Sequence, residues 1–456
     1  MGCVTVSSRA LLRFVPESLS PQTLGLRWQW RCQKKQHARL TIVSQFFPPD
    51  FAATGQFIDD LSRRLVRQGL QILVLTGQPN YAFRDQHAPR ISFDGHRCIR
   101  RTSVSRWWPS RIRGRVVNSV LFCMRSLLRL MRSARRGDLL LLTSEPAYLP
   151  LVGWVVHRLT RAPYVLLLYD LYPDIALSLG VLSPAHPVLR LWRAWQGWAL
   201  ADAREVVVLS PTMAEQLRRS YPDLRTPVQV IPSWADPNRI RPLPRAGNPF
   251  VRRHGLDDAF TVLYAGNQGR CHDLDTLLDA ARLLRQRSDI RFLIVGGGAR
   301  HQQVRQRVHE EDLQRVTLLP YQDQADLPAM LAAADLAVVS LLAVAEGQVA
   351  PSKLYGHLAA ATPVAVICGP DSYLRREVEA AGCGAAFANG DAVCLAAFIE
   401  RLVADPQLAR RMGLASRRHL QRTATPELVV QRYSDLLARH LPRVPVRAVL
   451  PEVQVA

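Results

Sequence analysis

Short apolar runs rich in Val, Leu and Ile recur along this 456-residue chain, separated by stretches with helical spacing. That alternation narrows the fold more than any other feature. A first series of runs falls at residues 39–45, 70–76, 97–103, 138–143, 163–169, 205–209 and 228–231, and a second at 261–265, 290–295, 316–319, 336–341, 364–367 and 385–387. Strands that are apolar on both faces belong to parallel sheets covered by helices on each side. Helical patterns at 57–68, 274–285, 301–311, 326–333, 353–361, 373–381, 392–405 and 426–440 supply the covering layers. Between the two series, residues 233–249 are rich in Pro, Asn and Arg and have little period. The expectation is an α/β protein made of two Rossmann-like, doubly wound parallel-sheet domains facing across a cleft. An N-terminal extension (1–38) would precede a first domain (39–236), a linker (237–258) and a second domain (259–425). A C-terminal helix (426–441) would return to the first domain and leave a tail (442–456). Ligands in such folds sit at the carboxyl ends of the strands, between domains.

With 48% hydrophobic and 21% charged residues, the chain has the composition of a globular protein. Its eight cysteines show no CxxC pair and no zinc-type His spacing, the pattern of reduced, buried thiols in a cytoplasmic protein. No run of 18 uncharged apolar residues is present, so no membrane-spanning segment is expected. The net charge of +22 is unusual, but no helix-turn-helix, zinc-finger or RNA-binding signature accompanies it, so nucleic acid is not the expected partner. Residues 106–136 hold nine Arg and no Asp or Glu, interleaved with Trp107, Trp108, Val116, Val120, Leu127, Leu128 and Leu130. Such a basic amphipathic segment suits an anionic membrane surface; a packed helix with a solvated Arg face is the alternative. A second Trp- and Arg-rich stretch, 189–198, favours the membrane reading.

The chemistry centres on residues 341–368, LLAVAEGQVAPSKLYGHLAAATPVAVIC. Glu346 lies in a loop after an apolar strand, and Pro351-Ser352 open a helix that begins with Lys353. Free backbone N–H groups, the Ser352 hydroxyl and the Lys353 ammonium together make a site for a diphosphate. The plainer alternative makes Ser352 an N-cap and Lys353 a solvated first-turn residue. Asp170 ends the apolar run 163–169 and so should emerge at the cleft. Asp174 is either a second acceptor contact or a helix N-cap.

Six motifs in order, Pro48-Pro49-Asp50 with Thr54-Gly55-Gln56, Asp170-Leu-Tyr-Pro-Asp174, Leu209-Ser-Pro-Thr212, Gly266-Asn-Gln-Gly269, Gly296-Gly-Gly298 and Glu346 to Leu358, resemble those of family 4 glycosyltransferases of the GT-B fold. The nearest likeness is to bacterial members that build exopolysaccharides, capsules, O-antigens and colanic acid, and it covers residues 39–440. The resemblance implies retaining transfer from a nucleotide-diphosphate sugar to a glycan or lipid-linked acceptor. It implies no protein-bound metal and no cofactor beyond that co-substrate. The thiol pattern and the two basic segments set the expected place as the cytoplasm, peripheral on the inner membrane face.

Carried over by position, Gly55 lets the backbone approach the donor diphosphate. Asn267 and His272 stand where the family has an Arg and a Lys, with Arg270 between them, so Arg270 and Lys353 become the main cations for the leaving group. Gly298 belongs to a turn beside the donor, and Tyr321 is a candidate for the base pocket. The family's glutamate pair is not intact: its positions hold Gln348 and Gly356, and Glu346 is the substitute for contacting sugar hydroxyls. Asp170 would orient the acceptor hydroxyl, with Tyr169 where many relatives have His, and Asp174 would lie on the acceptor side. A sugar-nucleotide epimerase of the same fold would need paired cleft carboxylates and a His, which are not identifiable in the sequence. A dehydrogenase is disfavoured because no GxGxxG follows the first strand.

Overall fold

The structure, a computed structural model, describes residues 39–50, 52–79, 88–102, 112–134 and 137–441, without the side chains of residues 112, 113 and 115. The N-terminal extension, the tail, Trp107 and Trp108 lie outside the described residues.

The first sheet is built from β1 (Arg39–Val43), β2 (Gln71–Thr76), β3 (Ile91–Asp94), β4 (Arg97–Arg101), β5 (Leu139–Thr143), β6 (Tyr164–Leu168), β7 (Glu205–Val208) and β8 (Val228–Val230). Its order is β3-β4-β2-β1-β5-β6-β7-β8, parallel except where β3 pairs antiparallel with β4 at the edge. The second sheet contains β9 (Phe260–Ala265), β10 (Ile290–Val295), β11 (Val316–Leu319), β12 (Leu336–Ser340), β13 (Val364–Ile367) and β14 (Gly384–Phe387), in the order β11-β10-β9-β12-β13-β14. Strands β1, β5 and β6 are buried throughout, as expected of parallel strands roofed on both faces.

Several elements escaped the sequence pattern, among them the helices Leu149–Thr160, Pro187–Ala201, Pro211–Ser220 and Pro249–His254, strand β3 and the helix Pro406–Thr423. Strand β3 is only half-buried and reads I-S-F-D, too polar and short to signal a strand. The helix Pro406–Thr423 buries only Gly413, Ser416 and Leu420, so its inner face carries almost no apolar period. A Cβ at Gly413 would collide with the Ala361 carbonyl, and that small-residue contact lets the helix lie close to the sheet.

The helix Pro426–Ala438 inserts Val429, Val430, Tyr433, Leu436 and Leu437 into the core of the first sheet. Arg439 and His440, just beyond it, bond to the buried Glu205 at 3.0 and 2.8 Å. Around this crossing, Arg64 joins Asp60, Asp236 and Glu427, and Trp234 Nε1 donates to Asp60 at 2.8 Å. The two sheets are also joined at the cleft. Leu171 N donates to Gln348 O at 2.8 Å, Gln348 Nε2 donates to Ser178 Oγ at 2.8 Å, and Asp170 forms an antiparallel bridge with Val349. Gly347, at φ 72°, comes so close to the first domain that a Cβ would stand 2.9 Å from Thr212 O.

Candidate active site

On the first sheet the cleft is lined by the turns that leave β5 and β6. The parallel register of these strands pairs Thr143 with Leu167, which brings Ser144-Glu145 and Tyr169-Asp170 side by side. Ser144 Oγ ties the turns together by accepting from Tyr169 N at 2.9 Å and Asp170 N at 3.2 Å. Two carboxyl groups are thus forced into one poorly solvated place. Burial raises the Asp170 pKa to about 6. Burial first, and the Asp170 charge second, raise Glu145 to about 7, while the Thr54 hydroxyl pulls the other way. Glu145 Oε2 is buried without a hydrogen-bond partner. Paired cleft carboxylates are therefore present, contrary to the sequence expectation. Their pairing is invisible in sequence because only strand register creates it.

Two expectations on this side change. Gly55 lies in the first turn of the helix Ala53–Arg67, not in a loop before it. The space a Cβ would need is filled by the Phe46–Phe47 backbone, at 2.9 Å, so the glycine serves the seating of the helix on the β1 turn. Asp174 neither caps a helix nor lies free for an acceptor: Ser220 Oγ donates to Oδ2 at 2.6 Å and Arg193 to Oδ1 at 3.3 Å. Its carboxylate ties three helices of the first domain together.

On the second sheet, the turns after β9 and β10 interlock. Gln268 N donates to Gly297 O at 2.7 Å, and Tyr321 OH donates to the same carbonyl at 3.0 Å. Gly298, at φ 147°, could not carry a Cβ without striking Asn267 Oδ1, so it holds the two turns in contact. Asn267 and Arg270 are exposed at this rim. Arg270 makes no hydrogen bond or ion pair among the described residues.

His272 is buried, with Nδ1 2.7 Å from Ser340 O, so the proton sits on Nδ1. Burial, then the Lys353 charge, lower its pKa to about 3. It therefore remains neutral at the position where the family has a Lys. Beside it stands Lys353. Its Nζ donates to Tyr264 OH at 2.6 Å and stands 4.1 Å from that ring's centroid. Tyr264 OH passes the bond on to Asn267 O at 2.9 Å. Desolvation lowers the Lys353 pKa to about 7. Tyr264 was hidden in the sequence as one more large residue in an apolar strand.

Ser352 precedes the helix Lys353–Ala359 without using its hydroxyl as a cap, so that group stays available. The helix ends sooner than the pattern suggested because Ala361 turns to φ 58°. Glu346 keeps both carboxylate oxygens buried without a hydrogen-bond partner. The family's first glutamate position, Gln348, is occupied by the contact between domains described above. At the second, Gly356, a Cβ would already press on Leu331 Cδ1 at 3.1 Å, leaving a longer side chain no room unless Leu331 moves.

The two sheets and their facing strand ends define a GT-B glycosyltransferase. Residues 53–234 match the family described as glycosyl transferase 4-like domain, and residues 250–419 that described as glycosyl transferases group 1. The chain belongs to this glycosyltransferase family. It is 25% identical to the probable glycosyltransferase WbjE of Pseudomonas aeruginosa over 80% of this chain and 89% of that protein. To the putative colanic acid biosynthesis glycosyl transferase WcaI of Escherichia coli K12 it is 24% identical, over 70% of this chain and 81% of the relative. Among solved structures, sucrose-phosphate synthase from Thermosynechococcus elongatus superposes with a TM-score of 0.72 at 19% identity, covering 88% of this chain and 98% of that one. Anabaena HepE in complex with UDP gives 0.65 at 16% identity, covering 88% and 100%.

Proposed function

We propose that this glycosyltransferase moves a sugar, with retention, from a nucleotide-diphosphate sugar to a glycan or lipid-linked acceptor in cell-surface polysaccharide assembly. The bridge between Asp170 and Val349 carries the reading, because it brings the first domain's carboxylate against the loop that leads into Ser352 and Lys353. Cys271, beside both, responds to the charges of Asp170 and Lys353. Solved neighbours hold UDP or UDP-glucose, and the names of WbjE and WcaI support a polysaccharide product.

In the proposed reaction the acceptor oxygen attacks the anomeric carbon from the face the diphosphate leaves. The C–O bond to phosphate breaks, and the acceptor proton passes to the departing phosphate oxygen. Lys353, Arg270, the Ser352 hydroxyl and the N–H groups beside it neutralise the leaving group without recourse to a protein-bound metal. Glu346 receives sugar hydroxyls and Asp170 orients the acceptor. Tyr321, above the Gly297 turn, flanks the base.

The helix Ile112–Ser133 supports an anionic-membrane contact. Val116, Val120, Met124, Leu128 and Met131 form one exposed stripe along it, with Arg132 exposed beside them. Leu191 and Trp198 are exposed on the helix Pro187–Ala201, and the helix Leu149–Thr160 packs between it and the helix Ile112–Ser133. The association proposed here is peripheral, on the cytoplasmic face; among the described residues no helix is long and apolar enough to cross a membrane.

Epimerisation is favoured by one observation, the Glu145–Asp170 pair, but the cleft histidine His272 does not titrate near neutrality. A screen of UDP-, GDP- and dTDP-sugars, read by thermal shift and hydrolysis, tests the transferase reading. Stabilisation by one donor, lost in Lys353→Ala, supports it; solvent deuterium entering the sugar at a carbon would replace it with epimerisation.

A further inference from the structure

Glu145 has no part in the positional carry-over, yet it is built into the cleft. It leaves β5 at the height where Asp170 leaves β6, and the Ser144 hydroxyl fixes the spacing of the two turns. Thr54, at the start of the helix Ala53–Arg67, is its hydrogen-bonding neighbour. Its Oε2 is buried and unpartnered, and its neighbour Asp170 is held against the donor loop at Val349. Two ionised carboxylates here would stand on neighbouring turns of one cleft wall, with the diphosphate of a donor bound as proposed above on the other. Like charges in such a place cannot both stay ionised at low cost.

We propose that Glu145 is a positioning residue that shares one proton with Asp170, so that the pair presents a single negative charge to the acceptor while a dianionic diphosphate binds opposite. The inference rests on the nucleotide-sugar reading above. The shared proton is not consumed: the acceptor proton still leaves on the phosphate, and Asp170 supplies only a hydrogen-bond acceptor. Glu145 acts through Asp170 by holding its charge and direction.

The groups around the pair leave it as the titrating unit on its side of the cleft. Tyr169 and Tyr172 are pushed above their ordinary range by burial and Cys271 up to about 11, so all three are uncharged near neutrality. Tyr148 and Tyr433, which face those tyrosines, are shifted upward too. Lys353 titrates in the same window as the pair, at about 7. It weakens diphosphate binding as pH rises, in wild type and in a Glu145 variant alike. The difference between two pH profiles therefore isolates the carboxyl pair.

The test compares wild type with Glu145→Gln, which keeps the shape and fixes the group as neutral. UDP affinity is measured by calorimetry from pH 5.5 to 8.5, and the melting temperature of the ligand-free proteins over the same range. Between pH 6 and 8.5 wild type should lose about three- to tenfold more UDP affinity than the variant, the effect of one added charge at cleft distance. Without ligand, wild type should lose melting temperature relative to Glu145→Gln as pH rises toward 8, because a carboxyl with a raised native pKa favours folding less once it must ionise. Parallel UDP profiles would overturn the positioning role even if the stability difference appeared, since a purely structural carboxyl predicts that result. Parallel melting profiles would overturn the shared proton itself. Failure of UDP, GDP and dTDP to bind either protein would instead break the donor reading, and the melting comparison would still decide whether the pair shares a proton.

Discussion

The two edges of the cleft hold ionisable groups displaced in opposite directions. On the first domain Asp170 and Glu145 rise to about 6 and 7; on the second, Lys353 falls to about 7. Desolvation is the first cause in each case, and the signs differ only because acids and bases are charged on opposite sides of their pKa. The domains nonetheless arrive there differently. The carboxyl pair is set by register between two parallel strands, whereas Lys353, at the start of a helix, is held by the end of β9 through Tyr264 OH at 2.6 Å and Asn267 O at 3.4 Å. In the proposed donor complex, a diphosphate would restore the charge of Lys353 and penalise a second charge on the carboxyl pair.

The largest break in this comparison is Lys353→Ala, which removes the second domain's contribution. We expect kcat/KM for the donor to fall by about 100-fold or more, the scale of losing one charged contact to a leaving group. A loss below about fivefold would transfer the role to Arg270. Next is Gly298→Ala, which forces a Cβ against Asn267 at a backbone angle suited to glycine. It should cost about 2 kcal/mol or more of stability in denaturant unfolding and weaken nucleotide binding, because the two turns of the donor side separate.

Asp174→Ala sharpens the first domain's side. Loss of its bonds to Ser220 and Arg193 should lower stability by about 1–2 kcal/mol while the acceptor KM changes little; a large KM effect with unchanged stability would return Asp174 to the acceptor site. The smallest effect belongs to Leu128→Glu on the exposed stripe. It should weaken binding to vesicles containing anionic lipid by about tenfold, checked by co-sedimentation, without altering soluble donor hydrolysis.

The same contrast explains what could be read from sequence. Strands such as β5 and β6 were legible because burial on both faces demands continuous apolar runs. The helix start at Ser352 and Lys353 was legible because strand, loop and helix start are local in the chain. Glu145 was not, since it occupies a Ser-Glu-Pro turn with no local pattern and meets Asp170 only through pairing across 25 residues of sequence. Asp174 was misread for the same reason: its partners Arg193 and Ser220 are 19 and 46 residues away. His272 could be aligned but not protonated from sequence, because its neutrality comes from burial beside Lys353. The helix Pro406–Thr423 was missed because small residues, not large apolar ones, make its contact. What the chain encodes locally was readable; what tertiary proximity creates was not.

The central claim is that a donor diphosphate docks on Lys353 and restores its charge. It is tested most directly by counting protons. Calorimetric titration with the tightest-binding nucleoside diphosphate at pH 8, in buffers of different ionisation enthalpy, gives the protons taken up on binding. A lysine near pKa 7 is mostly neutral at that pH before the ligand arrives. Wild type should therefore take up close to one proton more than Lys353→Met, with the difference vanishing near pH 6. Equal proton counts and equal affinities in the two proteins would contradict the account.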